Sequence, residues 1–243
     1  MYSVLKRFAK ALIPKRLLHT YELPLRYLFA FQYRGKNNAC TICDHTFKKF
    51  IPLNEKDILC PYCGSRARTR RLYQLLEERS LLTGKILHFS PSRSLYRKLN
   101  TKKNIEYFST DYEDEFIAKF QYDITNIDCD DNTFDLIICY HILEHIVEDE
   151  KAMRELFRVL KPNGVCYIQT PFQKNEGIYE DYSIVSKEDR LKFFGQEDHV
   201  RVYSSQGLAN RLAKSSFEKI SVQEFEENTY FGLKNETIIT VSK

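Results

Sequence analysis

The sequence predicts an α/β fold with a mostly parallel sheet, preceded by a small cysteine-built module. Three observations carry this expectation. Between Thr133 and Phe172 a buried-strand run (Phe134 to Cys139) is followed by a helical pattern with Met153, Leu156, Phe157 and Leu160 on one side. Lys161-Pro162-Asn163-Gly164 then stops the helix, and Val165 to Thr170 reads as a second buried strand, so the stretch is a βαβ crossover. Second, strand-like and helix-like runs alternate from Lys85 onward. Third, four of the seven cysteines fall in two CxxC pairs ahead of that alternation.

Composition sets bounds on function. A chain of 243 residues holds one α/β domain of ordinary size with an appendage. At 43% hydrophobic and 29% charged it is expected to fold, which excludes disorder as the main state. No apolar run is long enough for a transmembrane helix. Residues 1–36 carry eight Lys or Arg and one Glu, a local +7, which leaves −3 for the rest of a chain whose net charge is +4. The bulk of the chain is therefore not a general polyanion binder. The cysteine pattern, without a disulfide framework, suits a reducing cytoplasm.

Taken in order, residues 1–36 mix basic and apolar side chains. Val4, Phe8, Leu12 and Ile13 line one helical face, flanked by Lys6, Arg7 and Lys10, and Pro14 and Pro24 divide the segment into short pieces. Such a segment suits peripheral contact with an anionic membrane, helices packed on the following domain, or a cleaved targeting peptide. Residues 37–65 hold Cys40-Thr-Ile-Cys43 and Cys60-Pro-Tyr-Cys63-Gly64. Four thiolates in two CxxC turns suit a tetrahedral structural Zn2+, with Cys40, Cys43, Cys60 and Cys63 as ligands. Ser65 is positioned to cap the next helix, whose first turns carry Arg66, Arg68, Arg70 and Arg71, either an anion grip or a solvated face. Lys85 to Ser90 and Ile105 to Thr110 read as strands, with a helix from Pro91 to Asn100 between them. Gln173 to Arg190 reads as a polar, irregular lid, and Phe194 to Tyr203 (FGQEDHVRVY) as the rim of a site. A helix over Ser204–Lys214 and strands over Phe217–Phe225 and Glu236–Val241 complete the chain.

FDLIICYHILEHI followed by RELFRVLKPNG resembles the fourth strand, following helix and fifth strand of class I S-adenosylmethionine-dependent methyltransferases. The resemblance implies a Rossmann-like, seven-stranded, mostly parallel sheet whose last strand is antiparallel and inserted beside the fifth. The CxxC and CPxCGS knuckles, a strand ending LHF-small-Pro, and FGQ-x-DHVR-x-Y together resemble a bacterial, methyltransferase type 11-like subgroup with an N-terminal zinc knuckle. This reading divides the chain into residues 1–36 (basic amphipathic helices), 37–65 (zinc ribbon) and 66–243 (methyltransferase domain). The usual glycine-rich first turn is replaced by His88-Phe89-Ser90-Pro91, which the resemblance assigns to the methionine end of the cofactor. It gives Asp111 the ribose hydroxyls, Asp123 the adenine amine, Ile124 the ring face, and Cys139, Tyr140 and His141 the methionine part.

His141-Ile-Leu-Glu144-His145 has the spacing of the inverted zinc-protease motif, but that chemistry needs both histidines on one helix and His141 leaves a strand. Two readings of this corner stay open. The corner resembles that of methyltransferases in which acids and histidines hold a divalent metal, which implies His141, Glu144, His145 and His199 converging on one cation; in metal-free relatives with the same LEH the acid and imidazole tie the helix start to the sheet. For methyl transfer the candidate proton acceptor is His199, supported by Asp198 or Arg201, followed by His145 and Tyr140. The expected enzyme acts on a small molecule or glycan in the cytoplasm, with peripheral membrane contact through residues 1–36. An RNA methyltransferase gripping its substrate with the knuckle and arginine helix is the alternative, and a non-catalytic scaffold is the third reading.

Overall fold

A computed structural model describes residues 15–54, 57–174 and 176–243; the apolar face at Val4, Phe8, Leu12 and Ile13 lies outside them. The described residues divide into two compact units, one drawn from the chain up to Gln74 with 227–234 and the other from Leu75–Glu226 with 235–243. The division falls inside a helix rather than at Ser65, and a late segment returns to the first unit.

In the first unit, helix α1 (Lys15–Ala30) runs through Pro24 without a break, so that proline does not divide the segment. Ala30 is buried on it, whereas Leu25, Leu28 and the following Phe31 stand exposed. Two hairpins follow, β1 (Asn38–Ala39) with β2 (Thr46–Phe47) and β3 (Ile51–Asn54) with β4 (Asp57–Leu59), and then helix α2 (Ala67–Glu78). Arg70 of α2 is wholly buried. It donates to the carbonyls of Ser65, Phe231 and Gly232 and lies 4.2 Å above the Phe50 ring. Arg71 is buried too and donates to the Lys234 carbonyl. Two of the four helix arginines are thus internal clamps on the returning segment and are not available to an outside anion.

The second unit is built on a six-stranded sheet in the order β11-β12-β8-β7-β5-β6. Its strands are β5 (Gly84–Phe89), β6 (Ile105–Thr110), β7 (Phe134–Tyr140), β8 (Leu160–Gln169), β11 (Lys219–Phe225) and β12 (Glu236–Ser242). β6, β5, β7 and β8 pair in parallel, and β12 is antiparallel between β8 and β11. The inserted antiparallel last strand is as expected; the seven-strand count is not. Among the described residues the sheet ends at β6, and 112–133 form turns with two isolated bridges, Thr110 to Phe120 and Asp123 to Asn126. That segment carries seven acids and few adjacent apolar residues, too little to build a buried strand.

Helices α3 (Arg93–Asn100), α4 (Asp149–Val159) and α6 (Ser205–Lys214) flank the sheet. Leu87, Ile137, Cys139, Met153, Leu156, Ile168, Leu208 and Leu212 share one buried core. α4 ends at Val159 and the chain is already extended at Leu160, so β8 starts before the Lys161–Gly164 stop. Pairing breaks between Leu160 and Val165, where Asn163 takes a φ of +64°. The stop residues therefore bulge a strand; they do not end the helix.

The segment expected to be an irregular lid contains β9 (Ile178–Glu180), which pairs antiparallel with β10 (Arg201–Tyr203); α5 (Lys187–Phe194) lies between them. Ser186 and Ser204 cap α5 and α6 through Asp189 N–H and Gly207 N–H, and Gly195 ends α5 at a φ of +87°. Gly207 has to be glycine for space, since a Cβ there would sit 2.5 Å from the Gly177 carbonyl oxygen. FGQEDHVRVY is exposed over Gly195, Gln196, Glu197 and Asp198 and turns inward after them. His199, Val200, Arg201, Val202 and Tyr203 are all buried.

Candidate active site

The carboxyl ends of β5, β6, β7 and β8 lie side by side, the edge where open α/β sheets bind ligands. After β5 the chain turns at Ser90, whose φ of +43° lies in the left-handed region that favours glycine. The first turn has kept the conformation while losing the residue. Ser90 Oγ donates to Asp111 Oδ1 at 2.6 Å, and Asp111 Oδ2 accepts the N–H groups of Glu115 and Phe116 at 2.6 and 2.9 Å. A carboxylate offers about four lone-pair sites, so at least one remains for a ribose hydroxyl.

The other residues assigned to the cofactor differ in what their side chains already do. Phe89, Ile124 and Cys139 belong to the buried core, and burial pushes the Cys139 thiol well up. His88 is buried with Nδ1 2.9 Å from the Tyr107 hydroxyl, and desolvation pushes its imidazole down to about 3. Pro91 is buried and Asp123 Oδ1 accepts from the Thr125 N–H and hydroxyl, closing its own loop. Tyr140, half-buried, ends β7. His141 follows at a φ of +56°, its N–H donated to the Gln169 carbonyl at 2.7 Å. Beside it, Gln169 Oε1 and Thr170 Oγ1 are buried with no hydrogen-bond partner. Orphaned acceptors at the ligand-binding edge suit polar atoms of a bound molecule. Sequence reasoning passed over this pair, although two polar residues ending an apolar strand were a readable signal.

The corner after β7 is built on a short 3-10 turn, Leu143–His145. His141 Nδ1 is 3.2 Å from Glu144 Oε1, and His145 Nδ1 is 3.2 Å from Asp198 Oδ2. The His145 and His199 rings meet edge to face with centroids 4.7 Å apart. The carboxylate expected to support His199 thus pairs with His145. His199 is instead held through Nδ1, which donates to the Phe194 carbonyl at 3.2 Å, and desolvation lowers its pKa.

Arg201, the other expected support, is fully buried and serves the fold. It donates to the carbonyls of Leu143, Ile146 and Val147, pairs with Glu180 Oε2 at 2.8 Å and lies 3.6 Å from Asp149 Oδ1. Arg211 completes the network on Asp149 and Glu180, and Tyr203 Oη donates to Asp149. The Arg211 and Arg201 guanidinium groups hold the Glu180 carboxyl down to about 2. With Val200 N–H donated to the Glu144 carbonyl, this network straps FGQEDHVRVY onto the His141–His145 corner. Next to it, Gln173, Glu176, Ile178, Tyr179, Phe193 and Val202 line part of a cavity of about 440 Å³.

In the first unit, the sulfurs of Cys40, Cys43, Cys60 and Cys63 all lie within 4.8 Å of one another. The Cys40–Cys63 and Cys43–Cys60 separations are 3.6 and 3.8 Å. Four sulfurs around a tetrahedral zinc at about 2.3 Å would stand about 3.8 Å apart, so the set fits. The two knuckles repeat one pattern. Cys40 N–H bonds the His45 carbonyl as Cys60 N–H bonds that of Ser65, and Asp44 and Gly64 each return an N–H to their cysteine's carbonyl. Both turn residues are left-handed, Asp44 at +59° and Gly64 at +72°. The Ser65 hydroxyl lies 3.3 and 3.2 Å from Cys40 and Cys63 Sγ, so it serves the sulfurs.

Comparison with known proteins agrees with this architecture. Residues 60–222 match a family described as a methyltransferase domain. An uncharacterized protein of Methanocaldococcus jannaschii is 37% identical over 78 residues, 31% of this chain and 34% of that protein, so the chain spans about a third of that relative's length. Among solved structures, a SAM-dependent methyltransferase from Archaeoglobus fulgidus aligns with a TM-score of 0.52 at 14% identity, covering 74% of this chain and 95% of that one. Phosphoethanolamine N-methyltransferase 2 of Haemonchus contortus aligns at 0.50 and 16% identity, over 72% of this chain and 52% of its own. At these identities the structural likeness speaks for the fold, and the family match covers well over half of the sequence. The chain belongs to the methyltransferase-domain family, with the Rossmann-like fold of S-adenosylmethionine-dependent methyltransferases.

Proposed function

We propose that the protein transfers a methyl group from S-adenosylmethionine to a small-molecule or glycan acceptor, and that the four cysteines hold a structural zinc. The observation that carries the enzyme reading over a non-catalytic scaffold is the first turn. Ser90 keeps a left-handed backbone at +43° and ties it to Asp111, the carboxylate that would receive the ribose. The same edge keeps a free lone-pair site on Asp111 and the unpartnered Gln169 Oε1 and Thr170 Oγ1, which suit a polar ligand.

The bound cofactor supplies an electrophilic methyl group on a sulfonium. The chain's part is to hold it, align the acceptor and exclude water. Asp111, Asp123 and Ile124 would take the adenosine end, and the β5 turn with Cys139, Tyr140 and His141 the methionine end. Gln169 and Thr170 add two buried acceptors at the same edge. A proton of the acceptor would leave toward the His145–His199 corner. The cavity beside β9 and β10 suits a compact polar acceptor, with Tyr179 and Phe193 offering ring faces and Gln173 and Glu176 polar contacts. The RNA reading is less well supported, because Arg70 and Arg71 are turned to internal carbonyls.

Calorimetric titration of the zinc-loaded chain with S-adenosylmethionine and S-adenosylhomocysteine tests the reading. Saturable binding of both is expected, weakened at least tenfold by Asp111→Asn. A folded sample that binds neither would leave the scaffold reading.

A further inference from the structure

We infer that Glu144, His145 and His199 form a second metal site, for a divalent transition-metal cation, distinct from the four-cysteine cluster. One ligand atom from each of the three residues lies within 4.8 Å of the others. Both imidazoles are set up to coordinate through the same nitrogen. His199 Nδ1 faces the Phe194 carbonyl, which can only accept, so Nδ1 carries the proton and Nε2 the lone pair. That Nε2 is buried without a hydrogen-bond partner, in a residue only 3% exposed. His145 Nδ1 faces the Asp198 carboxylate, which likewise leaves Nε2 as the electron-pair donor. A histidine whose outer nitrogen is held by a carbonyl or carboxylate is the recurrent support of a metal-ligating imidazole. A buried imidazole lone pair without a donor is costly in any other role.

Two imidazoles and one carboxylate favour a first-row transition ion over Mg2+ or Ca2+, whose preferred ligands are oxygens. Three protein ligands also leave coordination positions open. Glu144 and His199 form the buried side; His145 is partly exposed and Asp198 exposed, so the open positions face the accessible side. They would take oxygen donors of a ligand, which points to an acceptor bearing hydroxyl or carboxylate groups. The site goes beyond the methyl-transfer reading and does not require it, since ion binding is measured without cofactor; with both Nε2 lone pairs on the ion neither imidazole would take the acceptor's proton, which would leave to water from an oxygen acidified by the ion.

The test is a titration of the full-length, zinc-loaded chain with Co2+, followed by visible absorption. Binding at this corner gives weak ligand-field bands of a nitrogen–oxygen site; exchange into the cysteine cluster gives intense thiolate charge-transfer bands. One Co2+ per chain with the weak bands is expected. His199→Gln and Glu144→Gln should each weaken binding by tenfold or more, and Asp198→Asn, which loses only the support of His145, by about tenfold. His145→Asn alters a partly exposed side chain and keeps the test valid should the buried variants fold poorly. Absence of the weak bands in the wild type, or a titration unchanged in His145→Asn and His199→Gln, would overturn the proposal.

Discussion

The two clusters of metal-competent side chains are assembled in opposite ways. In the cysteine cluster each pair lies within one four-residue turn, and the two turns are backbone copies of each other. Short-range hydrogen bonds and left-handed residues at Asp44 and Gly64 aim the sulfurs. At the second corner, Glu144 and His145 are adjacent but His199 comes 54 residues later. Nothing local brings it there. A buried arginine, Arg201, reaches back to the carbonyls of residues 143, 146 and 147 and carries His199 with it. The contrast separates ligand geometry written in sequence spacing from ligand geometry written by a tertiary clamp.

The largest effect should come from breaking the local cluster. Structural zinc in small modules contributes on the order of 10–16 kcal/mol of apparent binding free energy, which is folding free energy there. Cys60→Ser should therefore abolish the folding of the module. Hydrogen exchange should show β1–β4 unprotected while β5, β7 and β8 keep their protection. Retained protection in β1–β4 would mean that the hydrophobic contacts of Phe47, Phe50 and Ile51 suffice and that the metal is incidental.

Breaking the clamp should cost less but reach further along the chain. Arg201→Met leaves Asp149 and three carbonyls short of a donor, and loss of one partner from a buried ionic network typically costs about 3–5 kcal/mol. Arg211 still neutralises Asp149 and Glu180, so the lower end of that range is expected in urea denaturation. The His145 and His199 ring resonances should shift as their edge-to-face contact loosens. A stability loss without such a shift would show that the corner holds itself together.

The same contrast explains what the sequence made legible. The βαβ unit, the second strand at Ile105–Thr110 and the cysteine knuckles were readable because each is specified within a few residues. The burial of His199 and Arg201 within FGQEDHVRVY was misread, because Arg and His look solvent-directed, as Asp198 indeed is. The partners of Arg201, namely Glu180, Asp149 and the carbonyls after Leu143, come from elements distant in sequence. The buried arginines of α2 were misread for the same reason, since residues 231 and 232 complete their hydrogen bonds. The missing third strand was hidden by the resemblance itself, which supplied a strand count that the acidic stretch after Asp111 cannot fill.

Ser90 stands between the two cases, because a local conformation survives there without its usual residue. Two terms oppose each other at this position. The left-handed backbone costs a serine on the order of 1–2 kcal/mol relative to glycine. The hydrogen bond to the Asp111 carboxylate returns about 1.5–3 kcal/mol, less where water can compete. Ser90→Gly removes both terms and should change stability by no more than about 1 kcal/mol. Ser90→Ala keeps the strain and loses the bond, so it should destabilise by about 1–2 kcal/mol. Thermal denaturation of the two variants separates the terms. Equal losses in both would mean that the backbone at Ser90 carries no strain; the turn would then be held by the Asp111 hydrogen bond alone, and its glycine-like shape would owe nothing to left-handed geometry.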